Sequence, residues 1–132
     1  MANPFVYVEL QTPDLGRAKE FYASLFGWQI EDVGTSPRQP YAMIRPGAGT
    51  GGGIMQQPAS DGPSQWTAYV SVDDIRAATE QARALGADVL TEPTEMKNTG
   101  WLAIIRDPAG AVLGLWQDNP VRSDDLPLEV GV

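Results

Sequence analysis

The sequence repeats itself. Ala42-Met43-Ile44-Arg45 and Gly53-Ile54-Met55-Gln56 return 61 positions later as Ala103-Ile104-Ile105-Arg106 and Gly114-Leu115-Trp116-Gln117, with Gly49 matched by Gly110 in the same register. Asp14-Leu15, Ala18 and Leu25 match Asp74-Ile75, Ala78 and Leu85 at an offset of 60. A solenoid needs at least about three stacked repeats. Two long, coarse copies imply instead two supersecondary units paired around a shared cleft.

Within each copy the hydrophobic period sets the elements. Val6, Val8 and Leu10 alternate with Tyr7, Glu9 and Gln11, which predicts a half-buried strand with a polar and aromatic second face. Thr12-Pro13-Asp14 reads as a helix start, with Thr12 as cap, Pro13 at the first helical position and Asp14 near the positive dipole end. Leu15, Ala18, Phe21, Tyr22, Leu25 and Phe26 share one helical face, and Gly27 suits a left-handed stop. Strands are expected over 28–33, 41–45 and 54–57, with a loop at Gly34-Thr35-Ser36-Pro37 and a flexible, glycine-dense connection over 46–53.

The second half repeats this order. A strand over 66–72 presents Thr67, Tyr69 and Ser71 on one face and Ala68, Val70 and Val72 on the other. Asp73 or Asp74 can cap a helix carrying Ile75, Ala78, Ala82 and Leu85, closed by Gly86. A strand begins at 88–90, and a hairpin of 101–106 and 111–117 turns at Asp107-Pro108-Ala109-Gly110. The implied fold is α+β: two tandem βαβββ modules, about 4–58 and 65–118, pair into a curved, incomplete barrel-like mixed sheet with the helices outside. Val6, Val8 and Leu10 are expected against the first helix, and Ala68, Val70 and Val72 against the second. The opposite face lines a concavity. Residues 119–132 form a tail, either loose or an arm that covers a partner.

Composition narrows the function. The chain has 132 residues, enough for one domain with its own core, and its net charge of −8 with no basic cluster argues against nucleic acid or anionic membranes as partners. No apolar run is long enough to cross a bilayer, and the first residues lack the pattern of a secretory leader. With no cysteine, disulfide and thiol chemistry are excluded and a cytoplasmic location is expected. With no histidine, the side chain most used for metal binding and neutral-pH proton transfer is missing.

Glu9-Leu10-Gln11-Thr12-Pro13-Asp14, followed by Ala18-Lys19-Glu20-Phe21-Tyr22 and Leu25-Phe26-Gly27-Trp28, resembles the opening of a vicinal oxygen chelate domain. Asp107-Pro108-Ala109-Gly110-Ala111, leading to Gly114-Leu115-Trp116-Gln117, resembles the closing strand of the same superfamily. That superfamily includes glyoxalase I, bleomycin- and fosfomycin-resistance proteins and extradiol dioxygenases. The resemblance extends to about Asp118. Its metalloenzymes carry ligands on the first and last strand of each module, His or Gln on the first and Glu on the last. The matching positions here are Tyr7, Gly53, Thr67 and Gly114, none a usual ligand for a divalent transition metal. A slip of register could turn Gln56 or Gln117 inward, but neutral amides alone hold such ions weakly. No metal and no cofactor are therefore expected.

The remaining candidates are binding groups. Glu9 shares the concave face with Tyr7 and can act as a general base or hold a cation, or it can pair with Arg45 or Arg106 and tie the sheet together. Tyr7, Tyr69 and Trp116 can stack a flat or cationic small molecule, with Gln11 and Thr67 as polar groups and Met43 and Met55 as an adaptable wall. Trp28, Trp66 and Trp101 read as core, and the glycine stretch 47–53 as a mobile lid. Three readings stay open: a metal-free small-molecule binding protein, expected as a homodimer from the habit of the superfamily; a metal-independent lyase or isomerase with Glu9 as base and Tyr7 or Tyr69 as proton donor; and an interaction module whose concave face is filled by its own side chains or its arm. A metal-dependent lactoylglutathione lyase or dioxygenase ranks below these.

Overall fold

The computed structural model describes residues 2–33, 40–96 and 99–119. The expected loop at 34–37, and the expected tail beyond Asn119, lie outside the described residues. The elements run β1 (Phe5–Thr12), α1 (Leu15–Phe26), β2 (Gln29–Asp32), β3 (Tyr41–Arg45), β4 (Gly52–Gln56), β5 (Gln65–Ser71), α2 (Ile75–Ala84), β6 (Asp88–Met96), β7 (Gly100–Arg106) and β8 (Val112–Asp118). A single 3-10 turn, Ala59–Asp61, joins the halves and was not anticipated. The strands form one eight-stranded mixed sheet in the order β2-β3-β4-β1-β5-β8-β7-β6, curved but not closed into a barrel. Each half is βαβββ.

The sheet register exposes the internal symmetry. β1 and β5 run antiparallel, with Tyr7 opposite Tyr69 and Glu9 opposite Thr67. β1 is parallel to β4, with Glu9 beside Gly53, and β5 is parallel to β8, with Tyr69 beside Gly114. A rotation that carries Tyr7 onto Thr67 therefore carries Glu9 onto Tyr69. The two halves meet along β1 and β5, and the sheet ends in β2 and β6.

Each half has its own core between helix and sheet. Leu10, Leu15, Ala42, Ile44 and Ile54 pack with Ala18, Tyr22, Trp28 and Ile30 in the first. Ile75, Ala103, Ile105 and Leu115 pack with Val72, Ala78, Ala82 and Trp101 in the second. Full burial of Ile54 and Ile75 contributes about 1.5–3 kcal/mol each. The helices carry aspartate caps: Asp14 accepts from Arg17 N–H at 3.0 Å and Asp74 from Ala77 N–H at 3.1 Å. Gly27 takes the left-handed conformation that ends α1.

Four expectations are corrected. The cap of α1 is Asp14, not Thr12; Thr12 instead accepts from Asp14 N–H at 3.2 Å and from the Ser64 hydroxyl at 2.8 Å. Val6 is not core, because a register shift between Phe5 and Tyr7 bulges it out of the ladder. Of the β5 set only Val72 joins the α2 core, since Ala68 and Val70 lie at the seam between the halves. Trp66 is 41% exposed and stands on the helix side of the seam.

The glycine stretch also differs from the expected lid. Gly52 and Gly53 are buried residues of β4, not a free connection. A Cβ on Gly52 would collide with the Val8 carbonyl, so glycine is what lets β4 lie so close to β1.

Candidate functional site

The face of the sheet opposite the helices gathers most of the residues that the sequence pointed to. β1 contributes Tyr7, Glu9 and Gln11, β3 contributes Tyr41 and Met43, β5 contributes Thr67 and Tyr69, and β8 contributes Trp116. Strand alternation places them there, one residue in two along each strand.

Glu9 lies at the centre of a hydrogen-bonded chain. Its Oε2 accepts from the Tyr41 hydroxyl at 2.9 Å and its Oε1 from Gln11 Nε2 at 2.7 Å. Tyr69 reaches the same Oε1 at the longer distance of 3.5 Å. Thr67 donates to Gln11 Oε1 at 2.9 Å, so the chain crosses from β5 to β1. The Tyr7 and Tyr41 hydroxyls form a short hydrogen bond. Because Tyr41 spends its one proton on Glu9, Tyr7 is the donor in that pair, which gives Tyr7 to Tyr41 to Glu9. Tyr7 also approaches Met43 Sδ at 3.6 Å, and its ring meets Tyr69 edge-on with centroids 6.1 Å apart.

The electrostatics keep the phenols neutral. Burial pushes the hydroxyls of Tyr41 and Tyr69 far above the usual phenol range, and the Glu9 carboxylate raises them further. Tyr7 is raised as well, first by burial, with the hydrogen bond to Tyr41 pulling the other way. All three therefore remain proton donors at any physiological pH. The alternative pairing of Glu9 with an arginine is not realised: Arg45 binds Glu31 at 2.9 Å, and no ion pair reaches Glu9 among the described residues.

The two glycines at the former ligand positions have a steric explanation. A Cβ on Gly53 would meet the hydroxyls of Tyr41 and Tyr7, and one on Gly114 would meet the Tyr69 ring. Tyrosine thus fills the space beside both glycines that the resemblance matched to metal-ligand positions. The donors present do not fit a transition-metal ion: one carboxylate, already committed to neutral donors, beside a phenol, a threonine hydroxyl and two bare glycines. Among the described residues no group of three or more His, Cys, Asp or Glu converges anywhere. No step through a metal is derived for this chain.

Gln56 and Gln117 do not turn inward. Gln56 Oε1 accepts from Leu15 N–H at 3.0 Å and Gln117 Oε1 from Ile75 N–H at 2.7 Å. Each closes the first turn of the helix in its own half, which leaves the slipped-register metal reading without a ligand. Trp116 is half-buried, donates to Asp118 at 2.7 Å, and lies over Gly100, where a Cβ would strike its ring. Trp28 and Trp101 pack on the cores as expected, the latter with the Arg76 guanidinium 5.0 Å above its ring.

The site also has members that the sequence did not single out. Tyr41 is the chief one, and the signal was present in the alternation Tyr41-Ala42-Met43, which puts Tyr41 on the face assigned to Met43. Leu102 and Ile104 lie opposite Trp116 and Gly114 and make the second half of the face apolar. The face is thus divided, with a carboxylate and phenols on one side and apolar groups with an indole on the other. Two clefts of about 480 and 290 Å³ lie elsewhere, on the helix side. The tyrosine rings themselves fill much of the concavity, and Tyr69 is only 5% exposed.

Comparison with known proteins agrees with the fold. A family model described as the glyoxalase/bleomycin resistance protein/dioxygenase superfamily matches residues 5–115. The chain is 35% identical over 137 residues to a putative glyoxylase, CFP32, of Mycobacterium tuberculosis, covering 95% of this chain and 49% of that protein. It is 28% identical over 134 residues to the anthracycline biosynthesis protein DnrV of Streptomyces peucetius, covering 91% and 49%. It spans about half the length of the curated relatives it matches. A methylmalonyl-CoA epimerase from Mycobacterium tuberculosis shares the fold with a TM-score of 0.65 at 17% identity, covering 88% of each chain. Sequence, sheet order and relatives place this chain in the glyoxalase/bleomycin resistance protein/dioxygenase superfamily.

Proposed function

We propose that this protein is a cytoplasmic, homodimeric small-molecule binding member of its superfamily that works without a metal, holding a flat aromatic or cationic ligand against the concave face. Residues 1–118 form the binding domain and 119–132 a tail. The observation that carries the reading is the filling of Gly53 and Gly114 as a set: they are closed off by Tyr41, Tyr7 and Tyr69, and the Glu9 carboxylate lies among those phenols. A carboxylate set among tyrosine side chains attracts a cation, and Trp116, Leu102 and Ile104 offer an apolar shelf for a ring system. The protein's charge of −8 draws cations toward it. Similarity to a protein named for anthracycline biosynthesis supports a flat polycyclic ligand.

The test is a thermal-shift panel of planar polycyclic quinones, aromatic amines and uncharged aromatics beside zinc, nickel and manganese salts. A ligand that binds only the folded state raises the melting temperature by mass action. An aromatic or cationic compound is expected to raise it, with EDTA without effect. A metal-dependent rise reversed by EDTA overturns the reading.

A metal-independent enzyme using Glu9 as base is the second reading, favoured by the proton-linked chain Tyr7, Tyr41, Glu9. Both carboxylate oxygens already accept hydrogen bonds, which leaves neither turned freely to a substrate and ranks this reading below binding. Turnover of any compound from the panel, lost in Glu9→Gln, would reverse the order.

A further inference from the structure

The two helices occupy equivalent places in the repeat, yet their outer faces differ in kind. On α1 the outward residues are Phe21, Leu25 and Phe26, each more than half exposed. At the offset of 60, Phe21 corresponds to Gln81 and Phe26 to Gly86, and α2 surrounds them with Glu80 and Arg83. Leu25 is matched by the likewise exposed Leu85, so the difference lies in the two phenylalanines, which give α1 an aromatic outer face that the second half lacks. The α1 face continues through Tyr22, stacked on Trp28 at 5.7 Å and meeting Trp66 edge-on at 5.5 Å. Contiguous apolar surface of this kind marks an interaction site.

We propose that this face is the contact between two copies of the chain, related by a two-fold axis. The inference rests on the homodimeric part of the proposed function and is independent of the ligand. Knob and groove lie on one surface, as an isologous contact requires: Phe21 and Leu25 project from α1, and beside them the cleft of about 290 Å³ is walled by Trp28, Trp66, Ile44 and Pro46. The charges are self-complementary. Arg17 and Glu20 flank Phe21, Ser24 and Leu25 along the other cleft, and neither has an ion pair among the described residues. In a two-fold pairing, one copy's Arg17 can meet the other's Glu20, which makes this face neutral on a chain of charge −8.

The experiment is sedimentation equilibrium of the full 132-residue chain and of three variants, Phe21→Gln, Leu25→Gln and Leu85→Gln, with circular dichroism to confirm folding. The parent is expected at twice 14.2 kDa. Phe21→Gln and Leu25→Gln should each weaken dimerisation by about tenfold or more, as for buried apolar anchors. Leu85→Gln, at the matching and 71% exposed position of α2, should leave the dimer intact. Acrylamide quenching of tryptophan should increase with each dimer-breaking variant, as Trp66 is uncovered. A monomeric parent, or a dimer indifferent to both α1 variants, overturns the proposal. So does a monomer whose tryptophans stay shielded, since the chain's own residues 120–132 would then be the occupant.

Discussion

At the scale of single residues, three glycines do different work although all lack a side chain. Gly52 is opposed by the Val8 carbonyl, Gly114 by the body of the Tyr69 ring, and Gly53 by the hydroxyl ends of Tyr41 and Tyr7. Backbone cannot yield, a ring yields at a cost, and hydroxyl ends yield most readily. Alanine substitutions should therefore destabilise in the order Gly52, Gly114, Gly53, within the range of about 1–3 kcal/mol found for overpacked sites, and urea denaturation midpoints will give the order. Gly53→Ala should also break the short Tyr7–Tyr41 contact. Equal midpoints for the three would show that packing does not explain them. Replacing Glu9 by glutamine keeps its shape and leaves the buried phenols a carbonyl to donate to, so the fold should persist. Affinity for a cationic aromatic compound should fall by about tenfold or more, because a charge-assisted contact is lost. Isothermal titration will measure it, and an unchanged affinity would remove Glu9 from the site. Glu9, Tyr7 and Tyr69 could be read from strand alternation alone. The hydrogen-bonded order among them could not, since Tyr41 reaches Glu9 from 32 residues away in the chain.

Among the elements, the helix starts repay comparison. The aspartate caps are local, reach three residues ahead, and could be read from the sequence. The glutamine caps are not local. Gln56 and Gln117 close helices that start 41 and 42 residues earlier, because the parallel pairing of the last strand with the first returns the chain to the helix entrance. This explains why glutamine recurs at both ends of the repeat. The periodicity had offered those amides as possible inward groups, and only the sheet register decides which face they take. Gln117→Ala leaves Ile75 N–H without its acceptor and should cost about 0.5–2 kcal/mol, as cap losses do. Gln56→Ala should match it within the same range. Thermal unfolding of both variants checks the equivalence, and a neutral result in both would mean that water serves as well. The turn after β7 is a third instance: Asp107 Oδ1 accepts from Ala109 and Ala111 N–H at 2.9 and 3.0 Å, and these backbone bonds hold its carboxyl below the usual range. Its contribution is present above pH 3.8 and fades as pH falls through the lower folded value.

Across the whole molecule, the fold was legible and its filling was not. The offset of 60 to 61 residues is enough to predict two βαβββ halves, and the halves are there. What the repeat could not show is that the concavity between them is crowded by aromatic rings. Nor could it show that Trp66 and the α1 aromatics lie on the outer surface, because amphipathic spacing does not distinguish a core stripe from an interface stripe. The buried phenols have a consequence for the molecule in alkali. Their folded pKa values lie above the ordinary 10.0, so the stability they contribute is complete below pH 10 and is lost as pH rises from there toward the folded values. Tyrosinate absorbance at 295 nm should therefore rise in step with unfolding measured by circular dichroism for three of the four tyrosines. Ionisation of all four in the folded protein would contradict the buried cluster.

A sheet that does not close has two rims, and each rim offers unpaired backbone to any passing strand. Here both are blunted. β2 is four residues long and ends in Glu31 and Asp32, while β6 carries Glu92, Pro93 and Glu95 and breaks register between Val89 and Thr91 and again across Pro93, between Thr91 and Thr94. At β6 proline removes a donor and the irregular register spoils the template, while at β2 the short length and the two carboxylates disfavour an added strand, so both ends resist fibrous growth. That protection against polymerising by strand addition is concentrated in very few side chains. Exchanging Pro93 and Glu92 for valines should be enough to turn a stable solution turbid with thioflavin-positive aggregates on mild heating, while the unaltered protein stays clear.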